Sequence, residues 1–150
     1  MTISTLLSPD RIFIDTDISS KKRLLEFIAN TVASQFGLSQ PKLYNNLLDR
    51  ERLGSTGLGK GFAIPHTRLV NLDTTIACFI RLKQPVNFEA PDDQPVDLIF
   101  TIIIPEKATD EHLAILSSLA KIFSQTEICD AIRKADSGEE VARIIDSAEQ

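Results

Sequence analysis

Apolar residues in this chain recur at two periods, and the switches between them mark out its elements. Leu25, Ile28, Val32 and Phe36 fall at i, i+3, i+7 and i+11, one stripe of a helix that Ser19 or Ser20 can cap and that Gly37 ends. A second helix takes Pro41 near its first turn, presents Tyr44, Leu47 and Leu48 as a core face, and stops at Gly54 with Arg50 and Arg52 in its last turn. Ahead of both, residues 11–15 read as a short strand. Residues 75–82 and 97–104 are β-branched or apolar on both alternating faces, the pattern of interior strands covered on two sides. Between them Pro85, Pro91 and Pro95, with Asp92 and Asp93, predict an exposed, turn-rich connection. After Pro105, Thr109 or Asp110 can cap a helix carrying Leu113, Leu116, Ala120 and Phe123 at near-helical spacing, with His112 in its first turn. Shorter helices around residues 127–133 and 139–147, the second opened by Ser137 or Asp136, follow. This order predicts a single α/β domain over residues 1–150, a mixed β-sheet sandwiched by helices.

Composition narrows the function classes. At 150 residues, 43% hydrophobic and 25% charged, the chain suits one domain with a full-sized core. Sixteen basic against twenty-one acidic residues give a net charge of -5, which argues against nucleic acid as a partner. The first residues lack the basic-then-apolar pattern of a signal peptide, and the longest strongly apolar run, 98–104, is too short to span a bilayer, so a cytoplasmic protein without membrane insertion is expected. Cys78 and Cys129 lie far apart and form no ligand or framework spacing; buried free thiols are expected, with no metal and no cofactor.

Residues 50–67 carry the chemistry. Four glycines between Gly54 and Gly61 predict an irregular loop, residues 62–64 a brief strand stopped by Pro65, and His66 a position at a strand end or in a loop. Residues 54–60 satisfy the first seven positions of a phosphate-binding G-x-x-x-x-G-K loop, but Gly61 stands where a magnesium-binding hydroxyl is needed, a helix precedes where a strand is required, and Phe62–Pro65 cannot begin the helix that would hold the phosphates. A nucleotide site is therefore set aside. Singly, His66 reads as a loop residue after a proline, His112 as a polar residue in a helix's first turn, and Arg50 and Arg52 as cations placed by the helix dipole. Together with a glycine loop they suit phosphoryl transfer through a phosphohistidine. A neutral imidazole can attack phosphorus, and Arg50, His112 and free loop amides would offset the charge of the transferring group.

The run from Arg50 to His66 resembles the active-site signature of the fructose/mannitol-type IIA domains of the bacterial phosphotransferase system, and within that family it is most similar to the nitrogen-regulatory IIA proteins. Residues 93–100 and 111–113 resemble family segments in the same order. The resemblance implies a mixed sheet flanked by helices and a carrier charged by an HPr-like protein. His66 would be the phosphorylated residue, Arg50 and His112 its supporting groups, and Thr56 a further recurrent loop position of less defined role. Such a protein is an intermediate in a relay rather than a free-standing turnover enzyme. Thr67 replaces the usual glycine after the histidine, and Lys60 is a cation where relatives are often uncharged or acidic, so it is expected to attract either the phosphoryl group or an acidic partner. No IIB-like or membrane segment occurs in these 150 residues. The stand-alone form therefore favours a regulatory protein whose phosphorylation state is read by targets such as potassium-transport regulators or sensor kinases. The alternative is a sugar-specific IIA component that passes phosphate to a IIB domain, and a binding module without phosphorylation ranks below both.

Overall fold

The computed structural model describes residues 2–108 and 110–149; Thr109, one of the two expected caps, lies outside the described residues. A one-turn helix α1 (Ile3–Leu6), which the hydrophobic pattern did not predict, comes first. Thr2 caps it locally with a Thr2–Thr5 capping box, and its Ile3 and Ser4 amides donate to the Glu149 carboxylate, far away in sequence, at 2.7 and 2.9 Å. A 3-10 turn (Pro9–Arg11) leads into strand β1 (Ile12–Thr16), and α2 (Lys21–Phe36) follows. Ser20, not Ser19, caps α2 through the Arg23 amide at 3.2 Å, and Gly37 ends it in the left-handed conformation at φ 65°. Helix α3 (Gln40–Leu53) is capped by Ser39, carries Pro41 in its first turn and ends at Gly54. Strands β2 (Gly57–Gly59), β3 (Phe62–Ala63), β4 (His66–Leu69), β5 (Ile76–Val86) and β6 (Val96–Pro105) come next. Helices α4 (Asp110–Phe123), α5 (Thr126–Lys134) and α6 (Gly138–Ala148) complete the order, with Ser137 capping α6.

The expected mixed sheet is present, in the order β1-β5-β6-β3-β2, with β4 also against β6. β5 and β6 are antiparallel, β1 runs parallel to β5, β3 and β4 run parallel to β6, and β2 runs antiparallel to β3. Alternation along β6 explains the layering. Leu98, Phe100, Ile102 and Ile104 join Phe79 and the buried residues of α4, α5 and α6 in one core. Ile99 and Ile103 join Cys78, Ile80 and the buried faces of α2 and α3 in the other. Arg81 pins the end of α5 to the sheet, donating to the Ile132 and Ala135 carbonyls at 2.9 and 2.7 Å and pairing with Asp15 at 3.0 Å. Both cysteines are buried free thiols, and burial pushes the Cys78 thiol up to about 12.

Three expectations are corrected. The glycine segment is not wholly irregular, because Gly57–Gly59 pairs antiparallel with Phe62–Ala63. Pro85 belongs to β5, beyond the last β1 partner at Leu82; there the strand has no neighbour on that side, so a residue without an N–H costs no ladder bond. In the connection, Pro91 to Pro95 are exposed but Phe88 and Ala90 are buried against the α2–α3 core. The buried stripe of α4 is Ile115, Leu119, Ile122 and Phe123, whereas Leu113 is exposed and Leu116 and Ala120 are half-buried. Phe123 stacks on Phe62 with centroids 3.9 Å apart and also faces Phe79 and Phe100, joining α4 to the strands that precede His66.

Replacing Phe123 with Ala should lower the unfolding free energy by about 3–5 kcal/mol, the usual cost of emptying a buried aromatic site, measured by urea unfolding. A loss below about 1 kcal/mol would mean that the aromatic cluster is not an organising contact.

Candidate functional site

Residues 62–69 run beside β6 as a strand broken in the middle. β3 pairs Phe62 with Leu98 and Ala63 with Ile99, and β4 resumes with His66 opposite Ile102. Pro65 at the break has no N–H to give to a ladder. The Pro65 carbonyl still accepts the Ile102 amide of β6 at 3.1 Å, whereas Ile64 faces the other side of the strand: its amide donates to the Thr56 carbonyl at 3.0 Å, and its carbonyl meets Nδ1 of His66 at 2.8 Å. A carbonyl only accepts, so in the neutral ring Nδ1 bears the proton and Nε2 keeps its lone pair. Burial is the main influence holding the His66 pKa below 6.5; the Ile64 contact opposes it, the Arg50 charge lowers it further and the Glu51 charge raises it.

Arg50 comes from the last turn of α3, where its Nη1 donates to the Gly54 carbonyl at 2.9 Å across the turn that Gly54 opens. His66 and Arg50 line one open cavity of about 610 Å³ together with Asn46, Asp49 and Leu53 of α3, Thr67 and Arg68 of β4, Ile104 of β6, and Leu113 and Leu116 of α4. His112 is half-buried in the first turn of α4, four residues before Leu116 on the same side of the helix. Among the described residues that line the cavity, α4 is represented by those leucines rather than by His112 itself. Arg50 and His66 are thus brought together directly, and His112 is placed on the helix that forms the opposite wall.

Thr56 is buried and belongs to a network that sequence reasoning missed. Its hydroxyl and amide both donate to the carboxylate of Glu51, the amide at 3.3 Å, and Glu51 pairs with the Lys21 ammonium at 2.8 Å. Lys21 also lies over the Phe88 ring, 4.6 Å from its centroid. A signal was present: Leu43, Leu47 and Glu51 stand at i, i+4 and i+8, which puts a carboxylate on the buried face of α3 and demands a buried cation and donors.

The glycine loop is a scaffold rather than a cradle of free amides. The amides of Thr56, Gly57 and Lys60 are already donated to Glu51, Ser55 Oγ and Asp92. Gly57 packs so tightly on Ala90 that a Cβ would come within 2.8 Å of that side chain, and Gly61 adopts φ 81° beneath the Arg133–Asp97 pair. Arg133 bonds Asp97 through Nε and Nη2, both at 2.9 Å, and the Lys60 carbonyl at 2.8 Å. The Lys60 ammonium, expected to attract a phosphoryl group or an acidic partner, donates to the Ser124 carbonyl at 2.8 Å and so closes the C-terminal end of α4. Thr67 Oγ1 donates to the Arg68 carbonyl at 3.3 Å. Among the described residues no group of three or more His, Cys, Asp or Glu is gathered as a metal site requires, and no helix is long and apolar enough to cross a membrane.

Comparison with known proteins agrees with this architecture. Residues 5–148 match the family described as "Phosphoenolpyruvate-dependent sugar phosphotransferase system, EIIA 2". A protein of Pseudomonas aeruginosa named "Nitrogen regulatory protein" is 40% identical over 144 residues, covering 95% of this chain and 94% of that one. The crystal structure of Nitrogen Regulatory Protein IIA-Ntr from Neisseria meningitidis superposes with a TM-score of 0.92 at 43% identity, covering 95% of this chain and 98% of that one. A Bacillus subtilis protein named "PTS system fructose-specific EIIABC component" is 30% identical over 146 residues, which is 97% of this chain but 23% of that protein.

His66 should titrate with a midpoint below 6.5, read from the pH dependence of its ring NMR signals. The unfolded chain takes up this proton first, so the His66 contribution weakens the fold as pH falls through 6.5 towards the folded-state midpoint and is constant at pH well above 6.5. A midpoint at or above 6.5 would contradict burial as the governing influence.

Proposed function

The chain belongs to the phosphotransferase-system EIIA 2 family, and from that premise we propose that it is a phosphoryl carrier and regulatory protein, accepting its group on His66 from an HPr-like phosphocarrier and signalling through its phosphorylation state. The observation that carries this reading is the anchored imidazole. Nδ1 is engaged by the Ile64 carbonyl at 2.8 Å, in a cavity that also holds Arg50.

The chemistry follows from that arrangement. The Nε2 lone pair attacks the phosphorus of the donor's phosphohistidine, a P–N bond forms to His66 as the donor's P–N bond breaks, and the electron pair of the broken bond returns to the donor nitrogen. The proton stays on Nδ1, donated to the Ile64 carbonyl, Nε2 carries none, and burial favours this neutral ring before attack. Arg50 has five N–H donors in a fixed fork, one of them bonded to Gly54, and it supplies positive charge where the phosphoryl oxygens develop theirs. His112, at the start of a 14-residue helix, adds an imidazole where the helix dipole favours an anion. The rim suits a transient protein partner: Leu53 is 86% exposed and Leu113 38%, both beside the cavity.

Regulation is favoured over transport by the relatives at 40–43% identity that match nearly end to end and are named as nitrogen regulatory proteins. Sugar transport is the second reading. It draws on the 30% match to part of a fructose-specific component, and transfer from phosphorylated protein to a IIB domain distinguishes it. In the regulatory reading the output is the charge state of the cavity surface, read by targets such as potassium-transport regulators or sensor kinases.

Intact-protein mass spectrometry after incubation with phosphoenolpyruvate, enzyme I and an HPr-type carrier should show one acid-labile phosphoryl group on the wild type and none on His66→Ala. Arg50→Ala and His112→Ala should remain folded and accept the group at least about tenfold more slowly, as expected for loss of one preorganised charge-stabilising donor. Absence of uptake by the wild type, or equal uptake by His66→Ala, would overturn the reading.

A further inference from the structure

The carboxylate of Glu51 is the most deeply buried charge near the site, its side chain 3% exposed. A buried ion pair is an expensive way to fasten a turn, since apolar side chains of similar volume commonly serve as well or better. What distinguishes this pair is where its contacts lead. Lys21 Nζ holds Glu51 at 2.8 Å, and Glu51 accepts the hydroxyl and the amide of Thr56. The carbonyl of Thr56 accepts the Ile64 amide at 3.0 Å, and the carbonyl of Ile64 accepts Nδ1–H of His66 at 2.8 Å. The chain of contacts ends on the ring nitrogen opposite the one that has to react, not in the core.

We propose that Glu51, held by Lys21, is a positioning residue for phosphoryl transfer, setting the tautomer and aim of the His66 ring through Thr56 and the Ile64 peptide. The proposal rests on the carrier reading above. The Pro65 carbonyl accepts the Ile102 amide of β6 at 3.1 Å, while the Ile64 amide, on the other side of the strand, goes to Thr56, so Thr56 holds the side of this stretch that carries the Ile64 carbonyl. Thr56 in turn is seated by two bonds to one carboxylate, a bidentate contact that fixes direction as well as distance. Glu51 follows Arg50 in the last turn of α3, and adjacent helical residues point to different sides, so one turn sends Arg50 to the cavity and Glu51 to the interior. The same turn thereby sets the charge that meets the phosphoryl group and the frame that aims the nucleophile.

The test compares wild type, Thr56→Val, Thr56→Ser and Glu51→Gln, each labelled with ¹⁵N-histidine. The His66 tautomer is read from long-range ¹H–¹⁵N NMR spectra, and phosphoryl uptake is followed from a phosphorylated HPr-type carrier over a range of donor concentrations. The wild type should show Nδ1–H alone. Thr56→Val, nearly the same shape without the hydroxyl, should show both tautomers and a maximal transfer rate at least about tenfold lower at a similar half-saturating donor concentration, because misaim costs rate rather than docking. Thr56→Ser should restore the spectrum and the rate. A single Nδ1–H tautomer with an undiminished rate in Thr56→Val overturns the proposal, as does failure of Thr56→Ser to restore either readout. Should Thr56→Val fail to fold, Glu51→Gln decides by the same readouts, and a wild-type spectrum and rate in it overturn the proposal. If even the wild type takes up no phosphoryl group, the carrier reading fails, while the tautomer spectra still decide whether Glu51 positions the ring.

Discussion

Everything at the site depends on a strand that is not allowed to continue. Residues 62–69 lie along the central strand β6 closely enough to be fixed in register at both ends, yet Pro65 denies the stretch a ladder donor at its middle. A backbone carbonyl in a regular strand is spent on its neighbour. The Pro65 carbonyl is so spent, on the Ile102 amide at 3.1 Å, but the Ile64 carbonyl faces the other side of the strand and takes hold of one nitrogen of His66. β6 thereby holds the backbone on one side of the strand while the Ile64 carbonyl on the other orients an imidazole at the edge of a rigid, two-sided core.

Three further constraints keep the break in place. Phe62 is stacked on Phe123 from the α4 side, and Ala63 packs into the core beneath α2 and α3, so the strand before the break cannot shift toward either face. The glycine hairpin is fastened at its tip to α5 through Arg133 and Asp97 and at its base to α3 through Glu51. Gly57 is pressed against Ala90 of the connection, which explains why a segment that reads as exposed turn carries buried residues at Phe88 and Ala90. The loop's glycines thus serve close packing and unusual backbone angles. Its amides at Thr56, Gly57 and Lys60 are used within the protein.

Much of this was legible in the chain. Period-3.6 stripes, with a serine cap for α2 and Pro41 near the start of α3, located the two helices, and the two-sided apolar runs located β5 and β6 as interior strands, because caps and periodicity are local properties. The spacing of Arg50, the glycines and His66 marked a site, and the cavity unites Arg50 with His66. Long-range features were not legible. The first amides of α1, whose local cap is Thr2, are also taken by Glu149 from the other end of the chain. Lys60 read as a charge for a phosphoryl group or an acidic partner, and its bond to the end of α4 joins residues 64 apart in sequence. Leu113 and Leu116 looked like core and instead line the cavity, since the face of α4 that packs inward is decided by Phe62 and the sheet rather than by its own sequence. Glu51 was readable in part, as a carboxylate continuing the Leu43–Leu47 stripe, but its partner Lys21 lies on another helix.

The central claim is that the Ile64 carbonyl holds Nδ1 and leaves Nε2 to react. It is tested most directly by NMR of ¹⁵N-histidine-labelled protein after phosphorylation, where coupling between phosphorus and a ring nitrogen identifies the site of attachment. The account predicts a phosphoryl group on Nε2 of His66, with Nδ1 still protonated. Attachment at Nδ1 of His66, or at His112, would contradict it.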